Sequence, residues 1–429
     1  MSTRGDVLLR RDIGTLGASL LVLNGLIGAG IFALPSRVAL NAGLLSPWLF
    51  LAVGLIFIPV VLSFAALASY YDDSGGPVLY ARQAFGDGAG FATGWLLFVS
   101  RSAAFSANAT VMAAYLGAIV PTLGGELGRA GVILAATACL TWANVRGVRS
   151  GVAAMLVLTI LKLSPLLVLI AVGLGRADMV DLLPELSEPV RNLGPTTLLM
   201  VYAFVGFETI GVTAGETSEP RRRLPGALLR TVFSISVFYF LVALTFVAVI
   251  PAEAYAGKTL VDVGRTLGGA LGAVGITIAA VFSIGGNMAS SMLAAPRLLY
   301  ALAQHRMMPT RLGAVHPRYR TPHIAILVMA VLCVSLALSG TFTALAIAST
   351  LSRLLAYLLC IGALPRVQAA ATYADRQQAF KLPGGWLIPG TALLICSVLI
   401  TQTTLANWIA VGLLLVIGLL FFAVARLRG

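Results

Sequence analysis

The feature that most constrains this chain is the recurrence of long apolar stretches along its whole length. A helix needs about 20 mainly apolar residues to cross a bilayer, and it can do so because it satisfies its own backbone hydrogen bonds in hydrocarbon. Twelve such stretches leave no room for a sizeable soluble domain, so the sequence predicts an all-α polytopic membrane protein with 12 transmembrane helices. The predicted spans are residues 13–36, 46–70, 90–117, 130–145, 151–173, 195–216, 226–250, 267–300, 322–340, 343–363, 386–403 and 406–425.

Composition and charge agree with a chain that lies in lipid. Only 10% of the residues are charged, whereas an ordinary soluble domain has about 25%. The net charge of +13 would suit a nucleic-acid-binding protein, but most Lys and Arg fall at cytoplasmic positions when the N-terminus is placed inside. The exceptions are six external residues (Arg37, Arg129, Arg176, Arg191, Lys258, Arg265) and three within spans (Arg101, Lys162, Arg353). We therefore expect a multi-pass protein of the cytoplasmic (inner) membrane, with both termini cytoplasmic and no nucleic-acid partner.

Spans one and six have glycine clusters where an uninterrupted helix would be expected, at residues 24–32 and 202–211. The two spans are five apart, and because five is odd the second set of five helices would enter the membrane from the opposite side. Paired interruptions of this kind indicate a transporter site near the midplane. Glycines also mark close helix packing, which is the interpretation adopted for residues 268–275 of span eight.

The predicted organisation follows from this pairing. Residues 1–12 form a cytoplasmic N-terminal segment, and a LeuT-like 5+5 inverted repeat with discontinuous helices 1 and 6 comprises residues 13–173 and 195–363. Two peripheral helices follow in residues 386–425. The oligomeric state stays open, because the peripheral helices can face either lipid or a second copy.

Other classes of function lack their sequence signals. The four cysteines are far apart and the three histidines share one basic loop, so the sequence predicts no metal site and no cofactor. No nucleophile with a plausible base and no phosphate-binding loop is present, which argues against an enzyme or an ATP-driven pump. A channel or membrane receptor remains the alternative outside the transporters, although no ring of charge or carbonyl filter is evident.

Several segments resemble the amino acid-polyamine-organocation permeases. Residues 28–35, Gly-Ala-Gly-Ile-Phe-Ala-Leu-Pro, are similar to the span-one signature of that family. Further similar segments are residues 74–86, 204–208, 216–225, 296–309 and 321–322. The resemblance implies the LeuT-like fold and secondary transport of amino acids or of a related amine or carboxylate. It implies either symport with protons or exchange of one amino acid for another.

An amino acid presents a carboxylate and an ammonium, and a low-dielectric site must pair both groups. Unwinding near Gly28 would expose backbone amides at a helix N-terminus, which suit the carboxylate, and nearby carbonyl groups would suit the ammonium. Tyr202 and Phe204 flank the span-six break and could either close over substrate as an aromatic gate or serve only in packing. The predicted substrate-binding residues are Ile27, Gly28, Ala29, Gly30, Tyr202, Ala203, Phe204, Gly206, Ser290 and Ser291.

Two ionisable residues are predicted to couple transport to protons. Lys162 lies in the interior of span five, where an ionised group costs at least ~2.5 kcal/mol on insertion scales. The resemblance implies that it stands where sodium-coupled relatives hold an ion, bridges spans one and eight, and exchanges a proton. Glu208 is the one acid in the interior of a predicted span. It could carry the coupling proton or anchor span six to neighbouring backbone amides.

Arg101 in span three and Arg353 in span ten depart from the family pattern. A buried arginine could bind a second substrate carboxylate. Alternatively, each could pair with Glu208 or with backbone carbonyl groups, which is the favoured interpretation. Together with Ser106 and Asn287, these arginines are the candidate specificity residues.

Overall fold

The computed structural model is helical in its regular secondary structure over the part of the chain that it describes. The described part comprises residue 23 and residues 25–71, 76–147, 152–177, 182–184, 190–208 and 220–427. The predicted N-terminal segment, most of the first half of span one and the second half of span six therefore lie outside the described residues.

The helices occupy the positions of the predicted spans, with two extra helices in connecting segments. Span two is divided at Phe57 into two helices. In chain order the helices are α1 (Gly30–Ala42), α2 (Ser46–Ile56), α3 (Ile58–Ala68), α4 (Gly76–Phe85), α5 (Asp87–Ile119), α6 (Glu126–Arg146), α7 (Val152–Leu174), α8 (Leu193–Phe204), α9 (Pro220–Val249), α10 (Leu260–Gln304), α11 (His323–Ser339), α12 (Phe342–Ala370), α13 (Tyr373–Gln378), α14 (Leu387–Thr401) and α15 (Leu405–Leu427).

Six helical segments among the described residues are long and apolar enough to cross a membrane, which makes this a polytopic membrane protein. They are Gly30–Ala68, Asp87–Ile119, Pro225–Val249, Leu260–Gln304, Phe342–Ala370 and Leu405–Ala425. Shorter apolar helices accompany them at Thr159–Leu174, Leu193–Phe204, His323–Ser339 and Leu387–Thr401.

Helix α5 is the centre of the bundle. It packs most extensively against α10 and α12, and its most apolar segment is 72% buried. The corresponding segment of α15 is only 11% buried, so α15 lies at the periphery.

The packing interpretation of the glycines in span eight is wrong for Gly275, which has no other atom within 4 Å of its Cβ position, and for Gly268 and Gly269. Gly268 and Gly269 leave the helical conformation, and Gly269 has φ 60° and ψ −144°. Neither has another atom within 4 Å of the position a Cβ would take, so they serve a kink in α10 and not a close approach. Packing does explain Gly272, where a Cβ would overlap the carbonyl oxygen of Gly264.

Candidate functional site

The first break interrupts the helix that leads into α1. The chain is helical at Gly25 and Leu26, leaves the helix at residues 27–29, and resumes it at Gly30. Glycine is required here by close approach: a Cβ on Gly28 would lie 2.9 Å from Cγ of Asn287, and a Cβ on Gly30 would lie 2.9 Å from Cβ of Ala203. The break therefore brings bare backbone against neighbouring helices.

Neutral side chains from α5 and α10 hold this break. The backbone N–H of Ala29 donates to Oδ1 of Asn108 at 2.7 Å. Nδ2 of Asn108 donates to Oδ1 of Asn287 at 3.1 Å, and Nδ2 of Asn287 donates to the carbonyl oxygen of Gly25 at 2.9 Å. The two amides thus connect the N–H on one side of the break to the C=O on the other, which is how buried backbone groups freed from a helix are satisfied.

Protein hydroxyl groups hydrogen-bond to the carbonyl oxygens that were predicted to bind the ammonium of the substrate. The Tyr239 hydroxyl lies 3.3 Å from the carbonyl oxygen of Leu26 and 3.2 Å from that of Ala203. The Ser283 hydroxyl donates to the carbonyl oxygen of Ile27 at 3.4 Å. In this conformation the Ile27 and Ala203 carbonyl groups therefore already have protein donors.

The second break ends α8 at Phe204. Val205 is extended, with φ −90° and ψ 152°, and Gly206 has φ 122°. A Cβ on Gly206 would lie only 2.7 Å from the carbonyl oxygen of Gly25. This conformation and this space both require glycine, and the contact places the two breaks directly against each other.

A buried charged cluster lies beside the second break. Oε2 of Glu208 accepts from the Tyr357 hydroxyl at 2.6 Å and from the backbone N–H of Gly206 at 3.0 Å. Its Oε1 lies 3.4 Å from Nη2 of Arg101 and 3.6 Å from Nε of Arg353. The structure thus brings both arginines to the one glutamate, as the favoured interpretation of the sequence expected.

The two breaks and the arginines enclose one small cavity. Its volume is about 30 Å³, which is room for about two water molecules. An amino acid is larger, so the site is closed in this conformation. The lining residues are Gly25, Leu26, Gly28, Ala29, Gly30, Arg101, Ala104, Asn108, Tyr202, Val205, Gly206, Asn287, Ser290, Ser291 and Arg353.

Comparison with known proteins identifies the family. The family model described as "Amino acid permease" matches residues 13–425. The chain belongs to this amino acid permease family. The resemblance to the amino acid-polyamine-organocation permeases is thereby confirmed, and a family of transporters is not a class of enzymes.

Several relatives extend over most of the permease. It is 26% identical to the branched-chain amino acid permease BcaP of Bacillus subtilis, over 96% of this chain and 94% of that protein. It is 28% identical to an uncharacterized transporter of Mycobacterium tuberculosis, over 98% and 92% of the two chains. The serine/threonine exchanger SteT of Bacillus subtilis is 27% identical over 74% of each chain.

The cavity brings together most, but not all, of the predicted site residues. Those in its wall are Gly28, Ala29, Gly30, Tyr202, Gly206, Ser290, Ser291, Arg101, Asn287 and Arg353. Those outside its wall are Ile27, Ala203, Phe204, Ser106, Lys162 and Glu208. Glu208 contacts three members of the wall, namely the two arginines and the backbone N–H of Gly206.

The two predicted gate aromatics of the permease lie in different environments. Tyr202 lines the cavity, and its ring meets Phe342 edge-on with the centroids 5.8 Å apart. The Arg37 guanidinium lies over the Phe342 ring, 5.4 Å from its centroid. Phe204 instead packs against Tyr239 at 5.4 Å, fully buried and away from the cavity. A packing role therefore accounts for Phe204, whereas the gate role of Tyr202, which lines the cavity, stays a prediction.

Two further predicted residues lie away from the cavity. The Ser106 hydroxyl bonds to the carbonyl oxygens of Ser102 and Cys333 at 2.8 and 2.9 Å, which is an interhelical packing contact. Lys162 is 1% exposed in α7, a helix that packs against α9 and α10. Its predicted role in coupling remains a prediction.

Sequence reasoning missed the two tyrosines that hold the breaks. Tyr357 follows Arg353 by four residues on α12, so the two side chains share one helix face, and this spacing is a signal that was present in the sequence. Tyr239 gives no comparable signal, because a tyrosine in an apolar helix is most often a packing residue.

Proposed function

We propose that this permease is a secondary active transporter that carries amino acids across the cytoplasmic membrane by sodium-independent symport with protons. The observation that carries the proposal is the set of backbone amides at the N-terminus of α1. The N–H groups of Gly28 and Gly30 have no hydrogen-bond partner in the described part of the chain, and both residues line the cavity. Backbone donors at a helix N-terminus suit a carboxylate.

Carbonyl oxygens in the same wall suit the ammonium of the substrate. Gly25 and Leu26 precede the break, and both line the cavity. Each of their carbonyl oxygens accepts one protein hydrogen bond, from Asn287 and Tyr239 respectively. A carbonyl oxygen has two lone pairs, so each can still accept from an ammonium. One broken helix thus supplies partners for both ends of an amino acid.

The proposed architecture is the LeuT-like inverted repeat of 12 spans, with both termini cytoplasmic. Its support is the contact between two breaks that lie five spans apart, together with the peripheral position of α15. The repeats would comprise residues 13–173 and 195–363, and residues 386–425 would form the two peripheral helices.

Coupling is assigned to Lys162, whose side chain is buried inside the bundle. Glu208 was predicted either to carry the proton or to anchor span six. Its four partners, two guanidinium groups, one hydroxyl and one backbone N–H, favour the anchor. The alternative mode is exchange of one amino acid for another, which is favoured by the similarity to an exchanger.

Reconstituted liposomes separate these modes. Uptake of a panel of labelled L-amino acids is measured with and without an inward proton gradient, and with and without unlabelled amino acid inside. Symport predicts uptake with the gradient alone, in the absence of sodium. Uptake that requires internal substrate would establish exchange instead. Absence of uptake for every amino acid under both conditions would overturn amino acid transport, and related amines and carboxylates would be tested next.

A further inference from the structure

A long groove runs between α6 and α11 and opens to the outside of the bundle. The two helices pack against each other, and the groove has a volume of about 690 Å³, which is within the range of ligand sites. Its wall includes the exposed side chains of Leu134, Leu327 and Val331, at 49%, 51% and 68% exposure. Apolar side chains that a membrane protein exposes in this way contact lipid, so an acyl chain is the occupant that the wall suits.

The groove has the length of one leaflet of a bilayer. Along α6 its wall extends from Leu134 to Arg146, and these 12 steps of 1.5 Å cover about 18 Å. The hydrocarbon core of a bilayer is about 30 Å thick, so one leaflet has about 15 Å. An acyl chain of one leaflet can therefore lie along the whole groove, with its headgroup at the Arg146 end.

This end of the groove lies at the predicted cytoplasmic surface and is aromatic. Trp142, Arg146 and Tyr319 all line it, and the Arg146 guanidinium lies over the Trp142 ring, 4.2 Å from the centroid. Tryptophan and tyrosine are the side chains that favour the headgroup level of a bilayer. The Thr321 hydroxyl donates to the carbonyl oxygen of Val145 at 2.7 Å, which holds the segment that carries Tyr319 against the end of α6.

The same end of the groove is basic. Arg146 is exposed, and its guanidinium forms no ion pair within the described part of the chain. Arg318 and Arg320, in the segment that joins α10 to α11, are exposed as well. The two stretches of sequence that contain the whole groove, residues 127–177 and 263–374, have no Asp or Glu. The elements that form the groove therefore supply cations and no acid at its cytoplasmic end.

We propose that this groove binds an acidic phospholipid of the cytoplasmic leaflet, with one acyl chain along α6 and α11 and its phosphate on Arg146. Basic sites between membrane helices on the cytoplasmic side recognise anionic headgroups in this way. The site is separate from the cavity between the helix breaks, since the two share no lining residue. A second groove, of about 390 Å³ between α7 and α10, has no charged or aromatic side chain in its wall and serves as the comparison.

Lipid titration of the purified permease in a non-ionic detergent tests the site. Thermal stability is followed while phosphatidylglycerol, phosphatidylcholine with the same acyl chains, or inorganic phosphate is added, and an apparent affinity is obtained for each. One basic residue beside an anionic headgroup is worth about fivefold in affinity. Phosphatidylglycerol should therefore bind about fivefold more tightly than phosphatidylcholine, and inorganic phosphate should have no effect. Equal affinities for the two lipids, or no stabilisation by either, would overturn the proposal. Stabilisation by inorganic phosphate would indicate a site for a free anion, which would also overturn it.

Charge variants locate the headgroup. Arg146→Gln should lower the affinity for phosphatidylglycerol about fivefold, to that for phosphatidylcholine, and Arg146→Lys should retain the preference. The matched control is Arg311→Gln, which removes a positive charge from an exposed position before α11 that is outside the groove wall. It should keep the preference. Equal losses in Arg146→Gln and Arg311→Gln would mean a diffuse attraction to surface charge and no site in the groove.

Filling the groove locates the acyl chain. Val331→Trp places a bulky side chain in the groove and should remove most of the stabilisation by phosphatidylglycerol, while stability without lipid is unchanged because Val331 is exposed. Leu271→Trp makes the corresponding change at an exposed position in the groove between α7 and α10 and should leave the preference for phosphatidylglycerol intact. An unchanged affinity for phosphatidylglycerol in Val331→Trp would show that the lipid binds elsewhere.

Discussion

The two helix breaks of this permease have similar geometry but are stabilised by different chemistry. The hydrogen-bond partners of the span-one break among the described residues are neutral: the side-chain amides of Asn108 and Asn287 and the hydroxyls of Ser283 and Tyr239. The span-six break is held by an ionised cluster centred on Glu208. Among the described residues, the Gly28 and Gly30 N–H groups of the first break have no hydrogen-bond partner, whereas the second break supplies its own carboxylate to the Gly206 N–H.

This difference explains how both breaks can exist in a closed bundle. Gly206 has a donor in its own N–H, and Glu208, two residues later, accepts it at 3.0 Å. No acid in the described part of the chain bonds to the span-one break in this way, and the N–H groups of Gly28 and Gly30 have no partner there. In the proposed function the neutral break binds substrate, and the charged break holds span six in position.

The largest effect is expected from Glu208→Gln. Removing the carboxylate breaks the ion pairs that Glu208 makes with two buried guanidinium groups, and removing one partner of a buried ion pair costs about 3–5 kcal/mol. The variant should lose thermal stability in detergent and transport almost nothing. If it keeps its stability and transports normally, the charged cluster does not hold the span-six break. Normal transport with an altered pH profile would instead favour the proton-carrier role.

Restoring the charge balance provides the control for this variant. Glu208→Gln combined with Arg353→Gln removes one charge of each sign, and should recover part of the stability lost in Glu208→Gln alone. Residues in one ion-pair network give non-additive effects in such a cycle. Additive losses would show that the arginine and the glutamate act independently.

The next largest effect is expected from Lys162→Ala. This variant tests whether a buried ionisable side chain in the first half of the chain takes part in transport. The lysine is almost fully buried in α7. If it serves coupling, the alanine variant should lose proton-driven uptake at least tenfold while substrate binding, measured by thermal stabilisation with the transported amino acid, persists. Full transport by Lys162→Ala would remove it from the mechanism.

A smaller effect is expected from Gly28→Ala. The added Cβ would lie 2.9 Å from Cγ of Asn287, and overpacking of this kind costs about 1–3 kcal/mol. The clash is with the Asn287 amide that supports the break. The variant should therefore raise the KM for uptake, and this rise, expressed as a free energy, should exceed the loss of thermal stability. Gly275→Ala on α10 is the matched control, since nothing lies within 4 Å of its Cβ position. Equal behaviour of the two variants would show that close approach at Gly28 is unimportant.

The same contrast shows what the sequence could and could not predict. Glycine clusters predicted where the chain leaves the helix, because Gly28 and Gly206 are needed for local close contacts and, at Gly206, for a positive φ. The cluster of Arg101, Glu208 and Arg353 was only one of two alternatives, because its members are far apart in sequence and meet through helix rotations that periodicity does not determine. For the same reason Phe204 and Ser106 were placed at the site although they face away from it. The kink at Gly269 was missed because its glycines have the same sequence pattern as packing glycines.

The smallest expected effect comes from Tyr239→Phe, the side chain that both breaks share. Its hydroxyl lies 3.3 Å from the Leu26 carbonyl oxygen and 3.2 Å from that of Ala203, and its single proton can serve only one of them at a time. Losing one hydrogen bond of this kind costs about 0.5–1.5 kcal/mol, so thermal stability should fall only slightly and uptake less than threefold. Tyr300→Phe, which loses no hydrogen bond among the described residues, is the control. A loss as large as that of Glu208→Gln would mean that a neutral hydroxyl contributes as much as the buried carboxylate. The hydrogen bonds by which Tyr239 joins the two breaks would then matter at least as much as the Glu208 ion pairs at the span-six break.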